Sequence, residues 1–338
     1  MTLYTKNDYL RIMNTAMKVG IVGAGHIAGK IARTLAETES VDCLAVGSRS
    51  LEKAEAFARD FKIPRAYGSY SELLDDPDVD LVYVATPHSH HFDVTLEAIH
   101  KRKPCLVEKA FMANARQTKT VLDLAREKNV FIAEAIWTRY QPARKIIRDL
   151  IDEGRIGRVR MISATLAYSI EHKERVMRLD LCGGALLDLG LYAINFVRMV
   201  CDSRIEKIDS QCILSDTGVD LTESINMILD GGILANIQSS AACGGFNTGV
   251  IAGSTGNIVV DNVNNPHVIR VYALGGVLKE ELTVPECITG YEYEFLACRD
   301  AIGKGLIEPP QMPHAETLYI MELMDSLRKE WGVRYPMD

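Results

Sequence analysis

The sequence has 338 residues, of which 47% are hydrophobic and 25% charged, and this composition excludes a disordered chain and favours a compact globular protein. The length exceeds that at which a single core usually stops growing, so two domains are expected. A formal net charge of −7 argues against a general nucleic-acid or acidic-membrane surface.

The cysteines and the N-terminal segment bear on the cellular compartment. Eight cysteines occur without a C-x-x-C pair or the clustered spacing of zinc sites, so we predict reduced core residues. No apolar stretch reaches eighteen residues, and the first twenty residues lack a hydrophobic signal core, which argues against membrane insertion and secretion. We expect a cytoplasmic protein, and we leave the polar residues 1–16 out of the fold prediction.

The first half of the chain alternates short β-branched runs with amphipathic stretches, which is typical of a parallel sheet built from βαβ units. The predicted strands lack period-two alternation, as expected of strands covered on both faces. They lie at 19–22, 43–46, 81–84, 105–107 and 130–133. Helices are predicted over 51–61, behind a Ser50 cap, and over 115–128. This pattern predicts a doubly wound Rossmann domain over 17–138.

The second half reads differently, because strand-like runs follow one another at hairpin distance. These runs lie at 158–169, 204–214, 222–229, 232–239, 248–260 and 267–283, and helices are predicted near 142–153, 184–200, 290–303 and 314–330. We therefore predict an α+β domain over 139–338 with a large, mostly antiparallel open sheet. The fold class as a whole is α/β.

A glycine-rich loop directly follows the first predicted strand. It reads Gly23-Ala24-Gly25-His26-Ile27-Ala28, a G-x-G-x-x-A sequence that opens a helix. The first glycine permits a tight turn, the second lets the backbone approach a pyrophosphate, and the small third position allows close helix packing. The loop predicts a dinucleotide site, and the alternative is a merely structural glycine-rich turn.

The end of the second predicted strand indicates which dinucleotide is preferred. An acidic residue would bond the ribose 2′-hydroxyl of NAD there, but the chain reads Gly47-Ser48-Arg49-Ser50. Arg49 can pair with a 2′-phosphate, with Ser48 and Lys53 as neighbours. We therefore predict NADP rather than NAD, the alternative being that Arg49 is a solvated surface residue.

Three further segments follow predicted strands of the Rossmann sheet, where ligands lie in open α/β sheets. They are 85–91, with Thr86, Pro87, His88 and His91, then Glu108-Lys109-Ala110, and 134–137, ending at Trp137. Lys109 could serve in proton transfer. Without further support, a surface lysine at the end of a strand is an equally good interpretation.

Further support comes from the strongly apolar predicted helix over 184–200. Its polar exceptions Asp188, Tyr192 and Asn195 are spaced i, i+4 and i+7, so they fall on one face. Buried polar groups need partners. Lys109 together with a hydroxylated substrate would provide them, and an internally satisfied Asp-Tyr-Asn network is the alternative.

Taken together, these motifs resemble the glucose-fructose oxidoreductase/inositol dehydrogenase/rhizopine-catabolism (Gfo/Idh/MocA) family. The resemblance rests on the glycine-rich loop, Ala85-Thr86-Pro87 with His91, Glu108-Lys109, and 182–192, and it covers residues 17–338. Residues 134–140 and Tyr192 are similar to the branch of dimeric dihydrodiol dehydrogenases and NADP-dependent D-xylose dehydrogenases. The resemblance implies aldoses or vicinal diols as substrates.

The resemblance also implies roles for particular residues. Lys109 matches the catalytic lysine of a Glu-Lys-Pro motif, and Asp188 with Tyr192 matches an Asp followed four residues later by His or Tyr. The chain departs from the family at Ala110 (for Pro), Cys182 (for Gly) and His88 (for Asn in many members). We assign cofactor binding to Gly23, Gly25, His26, Ile27, Ala28, Ser48, Arg49, Lys53, Thr86, Pro87, His88, His91, Glu108, Lys109 and Trp137.

The sequence therefore predicts an NADP-dependent oxidoreductase that transfers hydride between nicotinamide and a carbinol of a sugar or vicinal diol. Tyr192 would accept the hydroxyl proton, helped by the charge of Lys109, while Asp188 would orient the substrate or the lysine. The alternatives are an NAD-dependent inositol-type dehydrogenase and a non-catalytic dinucleotide-binding regulator.

Three statements about partners complete the prediction. The histidines at 88, 90 and 91 have no neighbouring carboxylate or thiol in the sequence, so we predict no metal. An open sheet face needs cover for its apolar side chains, so we predict a homodimer or homotetramer formed through the C-terminal sheet. No nucleic acid or membrane is expected as a partner.

Overall fold

The computed structural model of the chain describes residues 15–201 and 203–338, so residues 1–14 of the segment left out of the fold prediction lie outside it. The chain divides into two compact units. Unit 1 consists mainly of the described residues up to Trp137 and of Cys287–Met321, and unit 2 mainly of Thr138–Glu286 and Glu322–Pro336.

Unit 1 contains a six-stranded parallel sheet with the strand order β3-β2-β1-β4-β5-β6. The strands are β1 Met17–Val22, β2 Val41–Gly47, β3 Arg65–Tyr67, β4 Leu81–Val84, β5 Cys105–Glu108 and β6 Ile132–Ala135. This is the doubly wound order whose carboxyl edge binds ligands at the switch between β1 and β4. The predicted Rossmann fold is confirmed.

Helices cover both faces of this sheet. They are α1 His26–Glu37, α2 Leu51–Phe61, α3 Tyr70–Asp75, α4 His88–His100 and α5 Ala115–Lys128. One apolar cluster joins strand residues to α1 and α2, and a second joins the opposite face to α3, α4 and α5. Burial on both faces explains why the strands read as continuous apolar runs. Ser50 caps α2 as predicted, because its hydroxyl accepts the N–H of Lys53 at 3.3 Å.

Unit 2 contains an eight-stranded sheet with the order β14-β13-β12-β11-β7-β10-β9-β8. Its strands are β7 Val159–Ala167, β8 Ile205–Leu214, β9 Asp220–Leu229, β10 Ile233–Ser240, β11 Gly249–Gly253, β12 Gly256–Val260, β13 Val268–Ala273 and β14 Val277–Thr283. Only the central β7–β10 pair is parallel, so the predicted, mostly antiparallel sheet is confirmed. A turn at Asp230-Gly231-Gly232 joins β9 to β10, with Gly231 and Gly232 at φ of +80° and +73°.

The helix predicted over 184–200 is not uniform in the structure. After α6 Pro142–Asp152, residues Leu186–Gly190 form a π turn that leads into α7 Leu191–Val200, which packs on β7 and β10. Among the described residues, Leu179–Val200 alone is long and apolar enough to cross a membrane, but 89% of its most apolar window is buried, as in a core helix. The hydrophobic pattern found the buried helix but could not reveal the π turn.

The last two helices show a difference from the sequence-based domain division. They are α8 Glu292–Gly303 and α9 His314–Trp331. Phe295, Cys298 and Ile302 of α8 are buried in the same apolar cluster as β1 and α1. The structure therefore groups residues 287–321 with unit 1, although the sequence division placed them in the second domain. Apolar faces reveal that a helix is buried, but not which sheet covers it.

Candidate active site

The glycine-rich loop of unit 1 has the geometry that a dinucleotide site needs. Gly23 has φ of +106°, and a Cβ there would lie 2.8 Å from the carbonyl oxygen of Ala85. A Cβ on Gly25 would meet no atom within 4 Å, so the protein's own packing does not require glycine there. No acidic side chain occupies the first turn of α1, and the buried Ala28 lets this helix pack closely. The positive end of α1 is therefore suited to a pyrophosphate.

The end of β2 places positive charge where the adenosine half of a dinucleotide binds in this fold. Ser48 is buried, and its N–H donates to the carbonyl oxygen of Tyr67 at 3.1 Å. Arg49 and Lys53 are exposed. Arg49 lies close enough to Tyr70 to oppose the rise in the pKa of that phenol that burial causes. The guanidinium is thus near an aromatic ring at the carboxyl edge of the sheet.

The end of β4 carries a buried hydroxyl and two buried histidines. The Thr86 hydroxyl has no hydrogen-bond partner in the described structure, so it can bond a ligand. His91 lies with Nε2 2.8 Å from the carbonyl oxygen of Thr86 and Nδ1 3.0 Å from that of Ala110. Burial lowers the pKa of His91. Since both ring nitrogens contact backbone, this arrangement does not support the predicted cofactor contact of His91.

The neighbouring His88 is held in a similar way. Its Nε2 lies 3.1 Å from the carbonyl oxygen of Lys109, and the peptide bond that follows, Lys109–Ala110, is cis. The two histidines thus tie the start of α4 to the chain after β5. In the parts of the chain that the structure describes, no three His, Cys, Asp or Glu side chains form a group that could hold a metal ion.

The end of β5 brings Glu108 and Lys109 to the same edge. The Tyr83 hydroxyl donates to one carboxylate oxygen of Glu108, and the N–H of Lys109 donates to the other at 3.1 Å. Burial and the nearby Glu108 raise the pKa of Tyr83 well above its ordinary value. Glu108 is therefore engaged with its own unit, whereas Lys109 is half-buried at the carboxyl edge.

Trp137 faces a partner that sequence reasoning did not identify. Its ring stacks on that of Tyr291, with centroids 4.2 Å apart and planes inclined by 15°. Tyr291 comes just before α8, and Glu292 accepts the N–H groups of Ile288 and Gly290 at 2.8 Å each, which holds this loop in place. Nothing in the local pattern around Tyr291 indicated that it would contact Trp137, because 154 residues separate them along the chain.

In unit 2 the π turn presents a carboxylate paired with an arginine. The Oδ2 of Asp188 accepts from Nη2 of Arg175 at 2.9 Å. The Asp188 side chain is 7% exposed and that of Arg175 is 45% exposed. The pair therefore lies at the boundary between the core of unit 2 and solvent. Sequence reasoning missed Arg175, which lies in a short 3-10 helix, Glu174–Met177.

The other two polar residues of the helix have separate surroundings. Asn195 is fully buried, and its Oδ1 accepts from Nε of Arg139 at 2.6 Å. Tyr192 is 6% exposed. Arginines therefore bond two of the three predicted polar residues. Arg139 had been noted in the sequence only as part of a motif.

Each unit thus gathers a part of the predicted site. Unit 1 brings together the glycine-rich loop, Thr86 and Lys109 at one sheet edge, and unit 2 places Asp188 and Tyr192 on consecutive turns. The open position at Gly25, the free start of α1 and the unbonded Thr86 hydroxyl fit a dinucleotide. The fold and these residues define a class, namely Rossmann-type dinucleotide-binding oxidoreductases.

Comparison with known families identifies the group within this class. Residues 17–135 match the profile described as the oxidoreductase family with an NAD-binding Rossmann fold, GFO/IDH/MocA, and residues 145–259 match the GFO/IDH/MocA C-terminal domain. The chain belongs to the GFO/IDH/MocA oxidoreductase family, as its motifs indicated.

Relatives extend along nearly the whole chain. A trans-1,2-dihydrobenzene-1,2-diol dehydrogenase of Mus musculus is 34% identical over 96% of this chain and 99% of its own length, and that of Xenopus tropicalis is 35% identical over 95% and 100%. An aldose-aldose oxidoreductase from Caulobacter crescentus, solved with glycerol, superposes with a TM-score of 0.85 at 21% identity, covering 94% of this chain and 98% of that one. That structural likeness is a likeness of fold.

Proposed function

We propose that this protein is an NADP-dependent dehydrogenase that acts on a carbinol of a vicinal diol or a sugar. The observation that carries the proposal is the glycine-rich loop at the start of α1 followed by the exposed Arg49 at the end of β2, with no carboxylate at that position. The full-length relatives named for a dihydrobenzenediol support the substrate class.

The cofactor fits unit 1 through a small set of groups. The amides at the start of α1 and Gly25 would face the pyrophosphate, Arg49 would pair with the 2′-phosphate, and the Thr86 hydroxyl would bond the nicotinamide half. When bound, the nicotinamide supplies the hydride acceptor or donor. His26, Ile27, Ser48 and Lys53 line the same edge in this proposal.

The chain's own residues would handle the proton and the substrate. Tyr192 would take the proton of the reacting hydroxyl, and the charge of Lys109 would favour that transfer. Asp188 would bond a substrate hydroxyl, and its pairing with Arg175 limits the rotation of the carboxylate. Trp137, stiffened by its stacking on Tyr291, would offer an apolar wall.

The test is a panel of dihydrodiols, aldoses and inositols, assayed by nicotinamide absorbance with NADP and with NAD. We expect turnover of at least one diol or aldose with NADP, and tighter binding of NADP(H) than of NAD(H). Arg49→Ala should weaken only NADP(H), whereas Arg59→Ala, at another exposed arginine of unit 1, should change neither affinity. Equal NAD and NADP binding would contradict the cofactor preference, and absence of all turnover would favour a regulator.

Two broader properties belong to the same proposal. We infer a homodimer or homotetramer that covers the exposed face of the unit 2 sheet, since apolar side chains line that face. A cytoplasmic location is supported by the cysteines, since none of the eight forms a disulfide in the described structure.

A further inference from the structure

Two buried carboxyl groups lie against the ends of the π turn that carries Asp188. Gly184 has φ of +122°, and a Cβ there would overlap Oδ1 of Asp220. A Cβ on Gly190 would lie 2.5 Å from Oε1 of Glu223. Both glycines therefore have a packing reason, because each makes room for a carboxyl group of β9.

Hydrogen bonds define how the carboxyl groups hold the turn. The N–H of Leu186 donates to Oδ2 of Asp220 at 2.5 Å, across 34 residues of sequence. Glu223 accepts from the hydroxyl of Ser239, its paired residue on β10, so its side chain is anchored to the sheet below Gly190. Asp220 thus contacts the first residue of the turn, and Glu223 packs against the last.

The charge state of this pair follows from its surroundings. Burial and the neighbouring Asp220 raise the pKa of Glu223 well above its ordinary value. Burial also raises the pKa of Asp220, but the amides of Leu186 and Ala185 oppose that rise. The two carboxyl groups are close enough that two negative charges would repel each other, so the site favours a single one. The backbone amides of Leu186 and Ala185 face Asp220 and favour the charge there.

A third contact fixes the chain just before the turn. The hydroxyl of Tyr335 donates to the carbonyl oxygen of Gly183 at 2.7 Å, and Tyr335 is 4% exposed. The guanidinium of Arg328 lies over the same ring, 4.2 Å from its centroid. The tyrosine is therefore itself rigidly packed, so its hydroxyl can locate the backbone at Gly183.

We propose that Asp220 and Glu223 are positioning residues for the reaction, which hold the π turn from below and thereby set the placement of Asp188 and Tyr192. The inference rests on the proposed function, in which these two side chains meet the substrate. π turns often occur at functional sites, where the irregular backbone aims a side chain. A displacement of a catalytic group by about 1 Å can lower the rate roughly 100-fold, so the loss of this buried support of the π turn should be measurable.

The first experiment compares three variants of the full-length enzyme. Asp220→Ala should lower kcat roughly 10- to 100-fold. NADP(H) affinity should stay within about twofold, because the cofactor residues lie in unit 1. Asp220→Asn keeps an oxygen for the Leu186 N–H and should recover most of the rate. Trp331→Phe is the matched control, because it removes one half-buried hydrogen bond of unit 2, from Nε1 to Ser210, without touching the turn.

A second experiment uses the close approach at Gly190. Gly190→Ala should impair kcat because its methyl group displaces Glu223, and Glu223→Ala should impair it by removing the support. The double variant should be more active than the product of the two single effects predicts, because removal of Glu223 makes room for the new methyl group. The pH profile of kcat should shift in both single variants, and in the double variant it should match that of Glu223→Ala, because both proteins lack the same support.

Hydrogen exchange separates this proposal from the proposed function. The amide of Leu186 should exchange at least 10-fold faster in Asp220→Ala than in Trp331→Phe, whether or not a substrate has been found. If that exchange is unchanged, or if Asp220→Ala keeps wild-type kcat, the proposed positioning role of Asp220 is refuted. If the exchange rises while Tyr192→Phe stays fully active, Asp220 does support the π turn, but the proposed catalytic role of Tyr192 is wrong. That result would overturn the inference that the support matters for catalysis.

Discussion

At the scale of single residues, Tyr192 and Lys109 have separable roles in the proposed reaction. Tyr192→Phe should remove at least 100-fold of kcat while NADP binding stays nearly intact, because the phenol would touch substrate and not cofactor. Lys109→Met should retain activity that rises with pH where the wild type is flat, because its lost charge would make Tyr192 harder to deprotonate. Steady-state pH profiles check both. If Tyr192→Phe is active and Lys109→Met is inactive at every pH, the lysine is the general base and the two roles are reversed.

Glu294 of α8 is a residue whose ionisation should affect stability. It is fully buried, and neither carboxyl oxygen has a hydrogen-bond partner in the described structure. Burial, and to a smaller extent the negative charge of Glu108, raise the pKa of Glu294 well above the ordinary value of 4.5. Above pH 4.5 the unfolded chain loses this proton while the folded protein keeps it. The wild type should therefore lose up to about 1.4 kcal/mol of unfolding free energy per pH unit from this group.

Glu294→Gln removes that pH dependence. Its stability relative to the wild type should increase steadily as pH rises above 4.5, and the difference should be constant below that value, which provides the internal control. Urea unfolding at a series of pH values measures it. A difference that stays constant across the whole range would show that Glu294 is ionised in the folded protein.

At the scale of elements, the loop between β1 and α1 separates stability from binding. Gly23→Ala forces a side chain onto φ of +106° and against the carbonyl oxygen of Ala85, so it should cost about 1–3 kcal/mol of unfolding free energy. Gly25→Ala meets open space at φ of −98° and should cost less than about 0.5 kcal/mol. Its methyl group would stand where the pyrophosphate approaches, so NADP affinity should fall about 10-fold or more.

Thermal unfolding without cofactor and fluorescence titration with NADP distinguish the two variants. A Gly25→Ala protein with unchanged NADP affinity would mean that the backbone at this position does not approach the cofactor. A Gly23→Ala protein of unchanged stability would mean that the loop adapts without its glycine.

At the scale of the whole molecule, the exposed face of the unit 2 sheet bears on assembly. Ile228, Leu234 and Met161 are paired across β9, β10 and β7, and each is 41–47% exposed. Leu278 on β14 is 50% exposed and lies on the same line of paired residues, but Ala252, Asn257 and Tyr272 separate it from Met161. An apolar row of this length is unusual on a monomer, so we expect a second copy to cover it.

Leu234→Lys should shift the protein towards monomer, because it places a charge in the middle of the row. Leu51→Lys is the matched control, since Leu51 is similarly exposed, at 50%, but belongs to unit 1. Light scattering at micromolar concentration measures the mass. A monomeric wild type would contradict the proposed oligomer, and a Leu234→Lys protein of unchanged mass would move the interface elsewhere.

Local patterns account for how much of the fold was predicted. The helices over 51–61 and 115–128 lie where the sequence placed them, because amphipathic spacing and the Ser50 cap act over a few residues. The short strand β3 and helix α3 were missed, since three and six residues carry too little periodicity to detect. The glycine-rich loop could be identified for the same reason as the long helices, because its requirements are local.

Long-range partners are what only the folded chain decided. Asp188 and Asn195 were predicted from their spacing, but their bonds to Arg175 and Arg139 depend on how distant segments meet. The same holds for Asp220 and Glu223, which are invisible in the sequence as supports of the π turn. A hydrophobic period specifies which face of an element is buried, whereas the partner of a buried polar group depends on tertiary packing that no local pattern encodes.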